Sequence, residues 1–141
     1  MLYDVLGDSK IRPNQLMALS LSHPVIEPAS EIAMNIYNVA TKKLLNKYGL
    51  KSLAKGEENY VEVYEGDPFK RDMSYHQGIT WPWLIGLYYD ALKNMINATT
   101  DENNKEKLEE DYKKLVDSIQ KTFIKAFYND GTSKNISDYT L

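Results

Sequence analysis

Arg71-Asp72-Met73-Ser74-Tyr75-His76-Gln77-Gly78-Ile79-Thr80-Trp81-Pro82-Trp83 gathers a cation, an anion, an imidazole, an amide and three aromatic rings within thirteen residues. It runs directly into the most apolar helical pattern of the chain. That helix is expected from Trp81 to about Ala98, with Thr80 as N-cap and Pro82 in the first turn, where a missing N–H costs nothing. Trp83, Leu84, Leu87, Tyr88, Ala91, Leu92 and Met95 form one stripe, and Trp81, Ile85 and Tyr89 add apolar groups beside it. A helix apolar most of the way round is enclosed by protein.

Outward from this helix the pattern alternates. Towards the N-terminus, Pro13-Asn14-Gln15 starts a short buried helix carrying Leu16, Met17, Leu19 and Leu21, which ends at His23-Pro24. Pro28-Ala29-Ser30-Glu31 opens a second helix reaching about Tyr48, with Ile32, Ile36, Val39, Ala40, Leu44 and Tyr48 on one face and Gly49 as its C-cap. Leu50 to Thr80 is long and irregular, and Tyr60-Val61-Glu62-Val63-Tyr64 alternates enough for a short strand. Long loops of this kind in compact domains are usually functional. Beyond the apolar helix, Asp101-Glu102-Asn103-Asn104 reads as a polar loop. A last helix follows to about Tyr128, its stripe being Leu108, Tyr112, Leu115, Ile119, Phe123 and Phe127. Four helices that are by turns enclosed and half-wet suggest a double layer of inner and outer helices.

Composition narrows the chemistry. The 141 residues fit one domain, with 43% apolar and 26% charged residues. A net charge of −3 gives no basic footprint, so nucleic acid is not an expected partner. The absence of cysteine removes disulfides, thiolate catalysis and Cys-bound metals, and two histidines are too few for a His-rich metal site. No metal or cofactor is expected. No window approaches the roughly 20 apolar residues of a membrane span. The N-terminus shows no secretion signal, so the expected location is cytoplasmic, and the sequons at Asn97 and Asn135 read as chance matches. No repeat period supports a helical-repeat module.

Taken singly, each motif has a plain structural reading. Trp81 and Trp83 are helix-start core residues, His76 is a satisfied structural histidine, and Arg71-Asp72 is a surface ion pair worth about 0–1 kcal/mol. Arg12-Pro13-Asn14-Gln15 is a helix start, and the Lys/Glu run of the last helix is a solvated face. Taken together, they sit at the starts of the two enclosed helices. Pyranose rings lie with their C–H faces on aromatic rings while their hydroxyls take charged and amide partners. On that reading the candidate sugar-binding residues are Arg12, Asn14, Gln15, Arg71, Asp72, Tyr75, His76, Gln77, Trp81 and Trp83.

Ile11-Arg12-Pro13-Asn14-Gln15, Tyr48-Gly49-Leu50-Lys51-Ser52-Leu53, and Arg71-Asp72 through Tyr75-His76-Gln77-Gly78 to Trp81-Pro82-Trp83-Leu84 resemble, in the same order, the C-terminal catalytic domain of glycogen debranching enzymes. These are amylo-α-1,6-glucosidases. The resemblance covers nearly the whole chain. It implies an all-α fold, part of an (α/α)6 toroid with about four helices and one long active-site loop, residues 1–141 forming a single partial barrel domain. It also implies hydrolysis of the α-1,6-linked glucose at a branch of a glycogen-type α-glucan, with inversion. Inversion takes two carboxyl groups roughly 6.5–9.5 Å apart. The family's general acid lies upstream of the Ile11–Gln15 motif, so it is expected to be absent from this chain. Its general base is the glutamate of a Ser-Glu motif, for which Ser137-Asp138 is the nearest match; Asp138 is thus the candidate base, one methylene shorter.

These departures set the remaining expectations. The chain alone should have little or no hydrolase activity. A partial toroid leaves apolar surface for a partner, either a second copy of the chain or an N-terminal partner chain. The alternative reading is a non-catalytic glucan-binding or oligomerising helical module.

Overall fold

The computed structural model describes residues 2–124. Asp138, Phe127 and the sequon at Asn135 lie outside the described residues. The fold is predominantly helical, in keeping with the expected piece of a helical toroid, and it carries in addition a small antiparallel sheet of order β1-β2-β3.

A 3-10 turn, Pro13–Leu16, leads into the single-turn helix α1, Met17–Ser20. Leu16 and Leu19 are fully buried, whereas Met17 and Leu21, expected with them, are exposed. α1 is too short to turn four apolar residues to one side. Helix α2 spans Glu31–Lys43 and begins where expected, because the Ser30 hydroxyl accepts from the Ala33 N–H at 3.2 Å. Its buried face is Ala33, Ile36, Tyr37, Ala40 and Leu44, so the expected Ile32 lies outside and 55% exposed.

α2 stops about five residues before the expected Tyr48. The chain pairs instead as a hairpin of β1, Leu45–Asn46, and β2, Gly49–Lys51, with Leu45 opposite Leu50. The Asn46 carboxamide accepts from the Tyr48 N–H at 2.9 Å and tightens the turn. Gly49 is therefore not a helix cap. It has a φ of +147°, and a Cβ there would lie 2.6 Å from the Trp81 carbonyl, so only glycine lets the third strand close in.

The segment expected to be irregular contains a helix, α3, Pro68–Ser74, capped by Asp67 through the Lys70 N–H at 2.9 Å. Tyr60–Tyr64 is not a strand; Val61 makes one backbone bond, from its N–H to the Gln77 carbonyl at 2.6 Å. Strand β3, Thr80–Trp81, pairs with β2, Leu50 opposite Trp81. Helix α4 accordingly starts at Leu84 and runs to Ala98. Thr80 does not cap it; its hydroxyl accepts from the Asn46 amide at 2.8 Å. The pairing of β3 with a strand thirty residues earlier outweighs the local helix-start signal.

Helix α5, Glu102–Ile119, is followed by a π-helical turn, Gln120–Ile124. The expected polar loop is its cap and first turn, with Asp101 accepting from the Asn104 N–H at 2.8 Å. Leu108 and Leu115 are buried as expected. α4 is the hub of the core, packing against α1, α2, α5 and β2 through Leu84, Tyr88, Ala91, Leu92 and Met95. A polar relay runs through this core. Tyr37 donates to Asp111 at 2.9 Å, Thr41 meets the Tyr88 hydroxyl at 2.7 Å, and the two tyrosine rings lie 5.4 Å apart.

Candidate functional site

The end of the molecule where α4 begins is built by contacts from distant parts of the chain. Arg12 stands just ahead of the buried Pro13–Leu16 turn. Its guanidinium donates to the His76 carbonyl at 2.8 Å, the Ser52 carbonyl at 3.1 Å and the Gln77 side-chain oxygen at 3.0 Å. Ser52, almost fully buried, accepts from the Gly78 N–H at 3.0 Å and donates its own N–H to the Ile79 carbonyl at 2.9 Å. Gly78 has a φ of +132°, and a Cβ there would run into the Val61 carbonyl and the Tyr60 ring. The segment ahead of the Pro13–Leu16 turn is thus tied to the segment that leads into β3 and α4.

On this frame sits an aromatic cluster. Tyr75 meets His76 edge-on at 4.9 Å and Trp81 edge-on at 4.7 Å, while the His76 and Trp81 rings stack at 6.0 Å. The Trp81 indole N–H donates to the Tyr75 carbonyl at 3.3 Å. The Tyr64 ring lies 5.9 Å from that of Tyr75. Edge-to-face geometry of this kind is favoured by ring quadrupoles.

Next to the cluster is an open cleft of about 260 Å³, lined by Tyr64, Pro68, Arg71, Asp72 and Tyr75. The volume lies just below the roughly 300–1,000 Å³ of drug-sized sites and suits a single sugar ring. Arg71 and Asp72 do not form the surface ion pair that adjacency suggested. Arg71 donates to the Gly66 carbonyl at 2.7 Å, which leaves four of its five N–H donors for other partners. Asp72 receives no side-chain hydrogen bond among the described residues, and is exposed. The cleft therefore offers a donor fork, a carboxylate acceptor and two phenol rings.

The ten candidate residues do not all meet there. Arg71, Asp72 and Tyr75 line the cleft, and His76 and Trp81 stand behind Tyr75. Arg12 and Gln77 bind each other in the frame. Gln15 is buried beneath, its amide donating to the Arg12 carbonyl at 3.0 Å. Asn14 is exposed and donates to Asp4 at 3.0 Å. Trp83 is 62% exposed at the start of α4 and makes no ring contact with the Tyr75 cluster among the described residues. Tyr64, Pro68 and Ser52 were not foreseen as site residues. Asp67-Pro68, an N-cap followed by a first-turn proline, was the available signal for the helix that brings Pro68 into the wall.

A carboxyl acting as a general acid near neutral pH needs its pKa raised. Glu62, nearby in sequence, moves the other way: its hydrogen bond from Lys55, and then the Lys55 charge, hold it below the usual range. The groups pushed up by burial, Tyr37 and Tyr88, belong to the core. Asp72 is the one carboxylate lining the described cleft. Among the described residues no group of histidine, aspartate and glutamate side chains could hold a metal ion, and no helix is long and apolar enough to cross a membrane.

No solved structure matches this chain. The family model described as amylo-alpha-1,6-glucosidase matches residues 2–140, nearly end to end and across every segment that builds the frame and the cleft. On that match, the chain belongs to the amylo-alpha-1,6-glucosidase family.

Proposed function

We propose that the chain forms one wall of a glucose-binding pocket that acts on the α-1,6 branches of glycogen-type glucans. The observation that carries this reading is the convergence of Arg71, Asp72 and Tyr75 on one ring-sized cleft, within a chain of this family. The Tyr75 and Tyr64 rings take the apolar C–H face of a pyranose. The Arg71 fork donates to hydroxyl oxygens, and Asp72 accepts from hydroxyl protons.

Hydrolysis by the two-carboxylate route needs an acid and a base on opposite sides of the glycosidic bond. The cleft brings one carboxylate, Asp72. A catalytic pocket is then completed by a carboxyl group from outside the cleft, supplied by another part of the polypeptide, a partner chain or a second copy. On this reading the 141-residue chain binds branched glucan and turns it over slowly or not at all. The test runs calorimetric titration and glucose release in parallel on a branched limit dextrin. Binding without release is the expected result. Release at the rate of a complete debranching enzyme contradicts the partial-site reading, and absence of binding contradicts the pocket itself.

A further inference from the structure

We propose that Arg12 is a positioning residue that aligns the aromatic sugar wall through the backbone of His76 and Gln77, and that it does not itself contact sugar. Three of its five N–H donors are taken by the protein: the Ser52 carbonyl, the His76 carbonyl and the Gln77 side chain. These acceptors come from two segments far apart in sequence, and one planar guanidinium serves both, a task the point charge of lysine cannot reproduce.

Arg12 is itself held from behind. Pro13, Gln15 and Leu16 are buried, and the Gln15 amide donates to the Arg12 carbonyl. The residue that follows the segment it grips is tied elsewhere. Gly78 is tied to the Ser52 hydroxyl, Gln77 accepts from the Val61 N–H, and any side chain at Gly78 would meet Val61 and Tyr60. The peptide joining His76 to Gln77 is fixed by Arg12 at its carbonyl, one residue after the Tyr75 carbonyl that receives the Trp81 indole. Release of Arg12 leaves that peptide held through its N–H alone, which donates to the Ser74 carbonyl at 3.0 Å, so that its carbonyl end can swing. Rotation pulls the Tyr75 carbonyl from Trp81 and breaks the edge-to-face arrangement beside the cleft.

The consequence for binding rests on the function proposed above; the alignment of the rings does not, and the two are read separately. The chain has two tryptophans, so its NMR spectrum has two indole N–H signals. Trp81 donates within the protein and Trp83 is 62% exposed, so the signals differ in exchange with solvent, and Trp83→Phe assigns them. In Arg12→Ala the Trp81 indole is expected to exchange faster by about tenfold, and affinity for branched dextrin to fall by a similar factor, the loss expected for charge-assisted hydrogen bonds. Arg12→Lys restores part of both. A loss of affinity with unchanged Trp81 exchange makes Arg12 a direct sugar ligand and overturns the proposal, as does unchanged exchange with unchanged affinity. If the parent chain fails to bind dextrin, the pocket reading falls and the indole signal still decides the role of Arg12. If Arg12→Ala fails to fold, Arg12→Lys, whose single ammonium replaces the fork, is expected to speed Trp81 exchange by a smaller factor; unchanged exchange in it overturns the proposal.

Discussion

The Trp81 indole donates its N–H to the Tyr75 carbonyl at 3.3 Å, while the rings of the same two residues meet edge-on at 4.7 Å. One contact fixes the backbone and the other fixes the ring, so Trp81 holds Tyr75 against the cleft in two ways. Trp81→Phe keeps the ring contact and removes the donor. It is expected to cost about 1 kcal/mol of stability and to weaken glucan binding more than unfolding alone accounts for. Chemical denaturation and calorimetric titration of the same variant separate the two effects.

Among the described residues, Gly49 and Gly78 are the two places where the backbone stands too close for a side chain. At Gly49 a Cβ meets the Trp81 carbonyl and Pro82; at Gly78 it meets Val61 and Tyr60. Alanine at either position also carries a positive φ. Each substitution is expected to destabilise by about 1–3 kcal/mol. Gly86, where a Cβ finds open space, is the control: Gly86→Ala is expected to be neutral or stabilising, since alanine is favoured over glycine in a helix by about 1 kcal/mol. Urea unfolding midpoints of the three variants check this.

Tyr37 ties α2 to α5 through Asp111 and packs on Tyr88 of α4. Tyr37→Phe keeps the ring and removes the hydroxyl. A loss of about 1 kcal/mol is expected, small because Asp111 is partly exposed and regains water. Tyr37→Ala opens a cavity among α2, α4 and α5 and is expected to cost about 3–5 kcal/mol. Thermal unfolding distinguishes the two.

Burial, and then the neighbouring Tyr88, raise the Tyr37 pKa well above the ordinary tyrosine value. A raised pKa in the folded state means that the neutral phenol is favoured by folding. Its contribution is complete below the unfolded value of about 10, and it is lost as pH rises above that. Stability is therefore expected to fall above about pH 10. The fall is expected to be shallower in Tyr37→Phe, as measured by denaturant midpoints across that range.

The parts of the fold written in local periodicity could be read directly. α5 keeps Leu108 and Leu115 inside because they recur at helical spacing, and Leu84, Tyr88, Ala91, Leu92 and Met95 of the α4 stripe are buried for the same reason. The sheet could not be read this way. Its strands are two or three residues long, and β3 pairs with β2 across thirty residues, so neither shows alternation of its own. That pairing explains why α2 ends early and α4 starts late. Of the residues lining the candidate cleft, Arg71, Asp72 and Tyr75 were legible because a charged pair and a ring close together suit sugar chemistry. Tyr64 and Pro68 were not, because α3 is short and its apolar residues Phe69 and Met73 face solvent. Arg12 was legible as a candidate, but its partners Ser52, His76 and Gln77 lie forty or more residues away and no local pattern marks them.

The central claim is that the cleft at Arg71, Asp72 and Tyr75 receives a glucose ring. Amide NMR of the labelled chain, titrated with a branched oligosaccharide of glucose, tests it most directly. Saturable shifts centred on Tyr64, Arg71, Asp72 and Tyr75 are expected, abolished in Tyr75→Ala with the spectrum otherwise intact. Shifts centred on the solvent face of α5, or no shifts at all, would contradict it.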